Sequence, residues 1–304
     1  MEEKLKRGRT YLDTDSGAVY NDIVKLTSEK QEEFLFDKFN MSKENKEFVE
    51  QYGNFIFKAN TKQVTKFQDK ISTSDIAKLV YCATYLNYEN VLQYENGKKV
   101  NKKDLQSIIG VSEKIFYKWY NLMIKSKILI EVDKTIIKMN KNYCIKGSLA
   151  KNKDYNRLFI NSVRDIYESN KGKNMKVLGH IFTLLPYISK NNNILCWNPN
   201  ERDSSKIEDI KISDLCNTFS EYKSDPSKLI KSLCKFKLSD GTPVLTTFGG
   251  EGKHGNENII FNPLLTYSGD NIKFNEVYKI FEFLSKKDEN KKVKKVGKKV
   301  LRLK

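Results

Sequence analysis

The amino-acid sequence predicts a mainly α fold with small β wings (α+β), organised as tandem winged helix-turn-helix domains. Residues 101–140 have the order helix, turn, helix and β-hairpin, and residues 211–262 have the same order. In each segment one helix carries lysines on one face and apolar residues on the opposite face. The 304 residues also carry a formal net charge of +17, which favours a polyanionic partner.

Composition indicates a folded protein of the cytoplasm. Hydrophobic residues make up 39% of the chain and aromatic residues 12%, which is enough for a packed core. No apolar run approaches the roughly 18 residues that span a bilayer, and the N-terminus lacks the apolar stretch of a secretory signal. We therefore expect no membrane partner. The five cysteines form no C-x-x-C pair and are expected to be reduced core thiols, so no metal or cofactor is predicted.

Residues 1–70 form a first segment, in which a hairpin, a helix and a strand are predicted. Alternation of apolar residues and a turn at 15–17 predict the hairpin over residues 11–20. The helix is predicted over 28–39 and the strand over 53–58.

The first winged helix is assigned to residues 71–148. Apolar residues at helical spacing predict its buried first helix, and capping residues mark the next two. Its predicted elements are a helix over 74–86, a short helix capped by Asn101, a turn at Gly110, a helix from Ser112 to about Ser126, and strands over 128–132 and 135–139.

A connecting helix is assigned to residues 149–175, because residues 154–169 have amphipathic spacing. This helix would either pack the two winged helices together or form the interface of a homodimer.

The second winged helix is assigned to residues 176–268. Pro186 ends its first helix, and the Asp225–Pro226 pair is typical of a helix start. Its predicted elements are helices over 176–185, 213–219 and 225–236, a short strand over 195–197, and strands over 244–248 and 259–262.

Residues 269–304 are predicted to form a C-terminal helix followed by a basic tail. Residues 286–304 contain ten basic and two acidic side chains, a net charge of 10 − 2 = +8. Such a tail is either a solvated end or an arm that binds phosphates without sequence preference.

The third helix of the first winged helix is the strongest candidate for a DNA contact. At 100° per residue, its basic and polar side chains lie within about 60° of Lys114, while Phe116, Trp119, Tyr120 and Met123 lie on the other side. Lysine binds phosphate oxygens and asparagine can pair with the adenine edge. The predicted DNA-binding residues here are Ser112, Lys114, Tyr117, Lys118, Asn121 and Lys125.

The third helix of the second winged helix repeats this arrangement, with Ile230 and Leu233 on its predicted apolar side. The third helix is the element that usually enters the major groove. The predicted DNA-binding residues are Lys228, Lys231, Ser232 and Lys235, together with Lys253 and His254 at the tip of the wing. The alternative is that both lysine faces, and the wing tip, are simply solvated surface.

Catalytic motifs are not recognised. The glycine-rich run at 249–254 lacks the spacing of a phosphate-binding loop and lies between strands. The only histidines are His180 and His254, so the paired histidines of rolling-circle nickases are missing. We expect His180 to be a core or boundary histidine, and we expect that the protein is not an enzyme and has no catalytic residues.

Four stretches carry a resemblance to a known family: YLNYENV at 85–91, GKKVNKKDL at 97–105, LGHIFTLLPY at 178–187 and CWNP at 196–199. They resemble the two-winged-helix replication initiator proteins of bacterial plasmids and phages. The resemblance implies a protein that binds repeated origin sequences, opens or marks the origin, and recruits the host helicase and primase. It implies no bond-breaking chemistry.

The leading prediction is therefore a sequence-specific double-stranded DNA-binding protein, a plasmid or phage replication initiator. Neither lysine-bearing helix contains arginine, so specificity is expected to come partly from DNA shape at AT-rich repeated sites. One alternative is a winged-helix transcriptional regulator or plasmid-segregation adaptor. Another is a protein-interaction module that acts on a host nucleic-acid enzyme and has no preferred DNA site.

Overall fold

The protein has a mixed α+β fold with small antiparallel sheets. The chain separates into two compact units, Met1–Glu50 and Gln51–Lys304. No helix in the described part of the chain is long and apolar enough to cross a membrane. The computed structural model describes residues 10–12, 19–21, 45–60, 71–133, 135–147, 154–250 and 255–300.

The first unit contains the predicted hairpin. Strand β1 (Thr10–Leu12) pairs antiparallel with β2 (Val19–Asn21), with Tyr11 opposite Tyr20. The turn between these strands and the predicted helix over 28–39 lie outside the described residues. A helix that the sequence patterns did not predict, α1, covers residues 45–52.

The second unit holds the other elements, in which strands and helices alternate irregularly. The strands are β3 (Phe55–Ala59), β4 (Leu129–Asp133), β5 (Ile136–Met139), β6 (Cys144–Ile145), β7 (Tyr155–Phe159), β8 (Leu245–Gly249), β9 (Glu257–Phe261) and β10 (Thr266–Tyr267). The helices are α2 (Thr73–Ala83), α3 (Lys102–Ile109), α4 (Glu113–Lys125), α5 (Ile160–Asn170), α6 (Met175–Thr183), α7 (Ile212–Thr218), α8 (Pro226–Leu233) and α9 (Asn271–Val300).

A four-stranded antiparallel sheet, in the order β10-β7-β3-β6, forms one layer of this unit. Its central pair places Phe57 opposite Arg157 and Phe55 opposite Phe159. The ring centroids of Phe55 and Phe159 are 6.0 Å apart, and those of Phe57 and Tyr155 are 4.7 Å apart, both edge to face. Such cross-strand aromatic pairs stabilise a sheet.

Strand β7 corrects the prediction of one helix over 154–169. Residues Tyr155–Phe159 are extended because β3 supplies a pairing partner, and the helix begins only at Ile160. The amphipathic spacing was real for α5, but it could not reveal a partner strand about 100 residues earlier in the chain. Tertiary pairing has overridden the local pattern.

Two segments of this unit have the same order of α-helices and strands. We call residues 71–145 the first repeat and residues 175–267 the second repeat. Each has three helices followed by an antiparallel hairpin: α2, α3, α4 and β4-β5 in the first, and α6, α7, α8 and β8-β9 in the second. The order of elements predicted from the sequence is therefore observed in both.

Helices α3 and α4 begin where the capping residues Asn101 and Ser112 predict, whereas α2 begins at Thr73, one residue before the predicted start, with Ser72 as its cap. The Asn101 side chain accepts hydrogen bonds from the Lys103 and Asp104 amides, and the Asp104 side chain accepts one from the Asn101 amide. The α3-α4 turn contains Gly110, whose φ of 69° lies in the left-handed region that favours glycine. Helix α2 ends at Ala83 rather than at residue 86, because the amides of residues 84–86 bond to carbonyls three residues earlier and Leu86 then bridges Leu92.

The hairpin of each repeat gains a third, short extended segment. In the first repeat Val91 bridges Lys138 of β5, and in the second Ile194 bridges Ile260 of β9. Strands β5 and β9 thus each have a paired neighbour on both edges.

Two buried asparagines make matching side-chain amide hydrogen bonds in the two repeats. Asn90 and Asn193 have left-handed φ angles of 61° and 59°. The Asn90 amide donates to the carbonyls of Met139 (3.1 Å) and Cys144 (2.7 Å). The Asn193 amide donates to the carbonyls of Phe261 (3.1 Å) and Thr266 (2.8 Å). In each repeat, one side chain therefore ties the end of the hairpin to the following edge strand of the central sheet.

The repeats contact each other through their first helices, α2 and α6. Gly179 of α6 lies directly against the backbone of Thr73: a Cβ atom there would be 2.9 Å from Thr73 Cα and closer still to its carbonyl group. Only glycine permits this approach.

Two further helices end at residues different from those that the sequence predicts. Helix α8 ends at Leu233 rather than at residue 236, because Cys234 caps it and Lys237 then bridges Pro243. Helix α9 continues to Val300 and includes most of the segment predicted as a tail. The five cysteines are free thiols, four of them buried and Cys234 partly buried.

Candidate nucleic-acid interface

Helix α4 has the two faces that its sequence predicts. Lys114, Tyr117, Lys118, Asn121 and Lys125 are exposed. The opposite side chains are buried and pack in the core: Phe116, Trp119, Tyr120 and Met123. Ser112 occupies the N-cap position, but its side chain makes no capping hydrogen bond and is exposed. All six predicted residues are thus accessible, and the five within the helix lie on one face, whereas Ser112 lies at the N-cap.

The buried face of α4 is anchored by specific contacts. Trp119 Nε1 donates to the carbonyl of Asp75 in α2 at 3.3 Å. The Tyr120 hydroxyl donates to Glu131 of β4 at 3.2 Å, and burial together with Glu131 raises the pKa of Tyr120 far above its ordinary value. These contacts fix α4 to the first helix and to the hairpin.

Helix α8 shows its predicted lysine face only in part. Lys228 and Lys231 are exposed and Ser232 is half-buried. Lys235 lies beyond the end of the helix, and its Nζ is 2.6 Å from Asn174 Oδ1. Burial lowers the pKa of Lys235. Lys235 is therefore engaged with its own chain.

The apolar side of α8 also differs from the prediction. Leu229 and Leu233 are the buried residues, whereas Ile230 is half-buried. The Asp225 side chain caps the helix by accepting from the Lys228 amide at 2.9 Å, with Pro226 in the first turn as predicted. The remaining predicted residues, Lys253 and His254, lie outside the described residues.

Lys102, which sequence patterns did not single out, extends the α4 surface. Its Nζ lies 4.7 Å from the ring centroid of Tyr117 and 4.6 Å from that of Tyr120. A cation over an aromatic face is held by the ring quadrupole. Lys102 is in the first turn of α3, so a charge from a neighbouring helix lies beside the α4 surface. The sequence feature that could have identified Lys102 is the pair of lysines directly after the Asn101 cap.

Both surfaces are basic by local count. Residues 102–125 contain five lysines and two acidic residues, a net charge of 5 − 2 = +3. Residues 223–237 contain five lysines and one aspartate, a net charge of 5 − 1 = +4. The arrangement can neutralise phosphates at two places on the second unit.

His180 is a buried residue, as predicted. Its Nε2 lies 2.6 Å from Glu221 Oε1, and Lys176 Nζ is 3.0 Å from the same oxygen. Burial lowers the pKa of His180, although the bond to Glu221 opposes this. This contact joins α6 to the turn between α7 and α8 and so positions α8. Among the described residues, no cluster of His, Cys, Asp and Glu could hold a metal ion.

No protein-family model, no curated protein and no solved structure matches this chain.

Proposed function

We propose that the protein binds double-stranded DNA at specific sequences through two tandem winged helix-turn-helix units, the first and second repeats. The observation that carries the proposal is positional. In each repeat the third helix, α4 or α8, buries its apolar side against the preceding helices and leaves lysines exposed. The third helix of this motif is the one that enters the major groove.

The dimensions of α4 suit this role. Its 13 residues rise about 1.5 Å each, so the helix is about 20 Å long. A major groove about 12 Å wide admits an α-helix. Lys114, Lys118 and Lys125 would bind phosphates, and Asn121 would pair with an adenine edge. Lys228 and Lys231 of α8 would bind phosphates at a second place.

We further propose that this DNA is a replication origin with repeated, AT-rich sites, and that the protein acts there as a plasmid or phage replication initiator. The support is the resemblance of residues 71–267 to such initiators together with the two repeats in one chain. Under this proposal the host helicase or primase would be recruited, and the chain itself would catalyse no reaction.

The test is selection of DNA fragments from the replicon that encodes the protein, at about 200 mM salt so that non-specific phosphate binding is suppressed. Clustered direct repeats beside an AT-rich stretch are the expected result. Enrichment of a single operator upstream of a gene would indicate a transcriptional regulator instead of an initiator. Absence of any enriched fragment would refute sequence-specific DNA binding and favour the protein-interaction module.

Two substitutions test the assigned surfaces. Lys118→Ala and Lys231→Ala should each weaken binding and lower the slope of log K against log salt by about 0.9, the effect of one phosphate contact. Lys206→Ala is the control, because its side chain is 71% exposed on a turn outside both helices. Unchanged affinity and slope in both variants would show that α4 and α8 do not face the DNA.

A further inference from the structure

An exposed isoleucine borders the basic surface of α4. Ile115 lies in the first turn of the helix and is 50% exposed, whereas the next residue, Phe116, is 1% exposed. At 100° per residue, exposed Lys118 lies about 60° from Ile115 around the helix and exposed Lys114 about 100°. Half of a β-branched aliphatic side chain thus faces solvent where charged residues would be expected, and core packing does not require that exposed half.

The second repeat lacks this feature. When the N-caps Ser112 and Asp225 are aligned, buried Phe116 and Tyr120 fall on buried Leu229 and Leu233. The same alignment places exposed Lys118 on exposed Lys231, and Ile115 on Lys228. The two helices therefore share a buried side and one cation, but they differ in the chemistry of the third helical residue.

The groove chemistry that matches an aliphatic side chain is the C5-methyl group of thymine, the only apolar group that a base presents in the major groove. The N-terminal residues of a groove-binding helix are those that contact base edges. Neither α4 nor α8 contains arginine, the usual reader of guanine. We infer that Ile115 reads thymine methyl groups, so that α4 reads bases while α8, with Lys228 at the equivalent position, grips phosphates.

This inference rests on the proposed function and deepens it by naming the base that α4 selects. An apolar side chain on a surface can also mark a protein contact. Here the net charge of +3 over residues 102–125, and Lys102 held beside the same surface, favour a polyanion as the occupant.

The experiment compares thymine with uracil, which lacks only the 5-methyl group and keeps the same pairing. The probe is the tightest duplex that the full chain selects from a randomised library, labelled for fluorescence anisotropy, with each thymine replaced singly by deoxyuridine. For the wild-type protein we expect about fourfold weaker binding at one or two positions, the effect of burying one methyl group. Ile115→Ala should bind the thymine duplex about fourfold more weakly and be indifferent to deoxyuridine at those positions. Ile272→Ala, which truncates an isoleucine that is 81% exposed on α9, is the matched control and should behave as wild type.

The outcomes separate this inference from the proposal beneath it. A selected duplex that tolerates deoxyuridine at every position would overturn the role of Ile115 and leave DNA binding intact. Equal sensitivity of wild type and Ile115→Ala to deoxyuridine would do the same. If no duplex is selected, both the inference and the proposed function are refuted.

Discussion

Gly179→Ala tests the contact that joins the two repeats. The added methyl group would overlap the carbonyl group of Thr73, and backbone atoms cannot rotate away as a side chain can. Overpacking of this kind costs about 1 to 3 kcal/mol, and a clash with backbone belongs at the upper end. Alanine recovers about 1 kcal/mol through its better helix propensity. The net loss in free energy of unfolding is therefore about 2 kcal/mol.

The measurement is thermal unfolding followed by far-ultraviolet circular dichroism. For a unit of this size, a loss of about 2 kcal/mol lowers Tm by roughly 4 to 8 °C. Gly172→Ala is the control: its φ of 74° is left-handed, but no atom lies within 4 Å of the place that an added methyl group would occupy. That variant carries backbone strain alone, about 1 kcal/mol, and should melt closer to wild type.

A Tm for Gly179→Ala at or above that of wild type would refute the reasoning. It would show that the gain from helix propensity is not offset by a clash with the Thr73 carbonyl group. It would mean that α2 and α6 are not in close contact at this position.

Two further substitutions concern buried polar groups. Asn90→Ala and Asn193→Ala should each cost roughly 3 kcal/mol, because two carbonyls lose their donor and alanine disfavours a left-handed φ; urea denaturation with exposed Asn121→Ala as a control checks this, and a cost under about 1 kcal/mol would contradict it. Lys58→Met should raise stability by roughly 2 to 3 kcal/mol at pH 7, since burial lowers the pKa of Lys58 to about 8 and its Nζ has no hydrogen-bond partner among the described residues. The gain should shrink between pH 8 and about 10.4, where folded Lys58 has lost its proton and the unfolded chain still binds one; a gain that is constant over this range would disprove the assignment.

The sequence predicted the parts of the fold that depend on local chemistry. Helix periodicity separated the exposed and buried sides of α4 correctly because aromatic residues and lysines there differ strongly in their preference for water. The Asn101 and Asp225 caps fixed helix starts through bonds within three residues. Such signals need no knowledge of the rest of the chain.

The features that were missed depend on distant partners. Strand β7 is extended because of β3, and Lys235 is occupied because Asn174 lies beside it. Ile115 is an aliphatic residue, so its side-chain chemistry does not mark it as a DNA-binding candidate in the sequence. Its exposure is known only from the structure.

The α2-α6 contact between the two repeats has a consequence for dilution. If each repeat were a separate polypeptide, the paired assembly would dissociate when its concentration fell below the dissociation constant of that interface. Here both repeats belong to one chain, so their interface forms at a high and fixed effective concentration. The contact between the repeats is therefore made once, at folding, and does not depend on whether a cell holds a few copies or many.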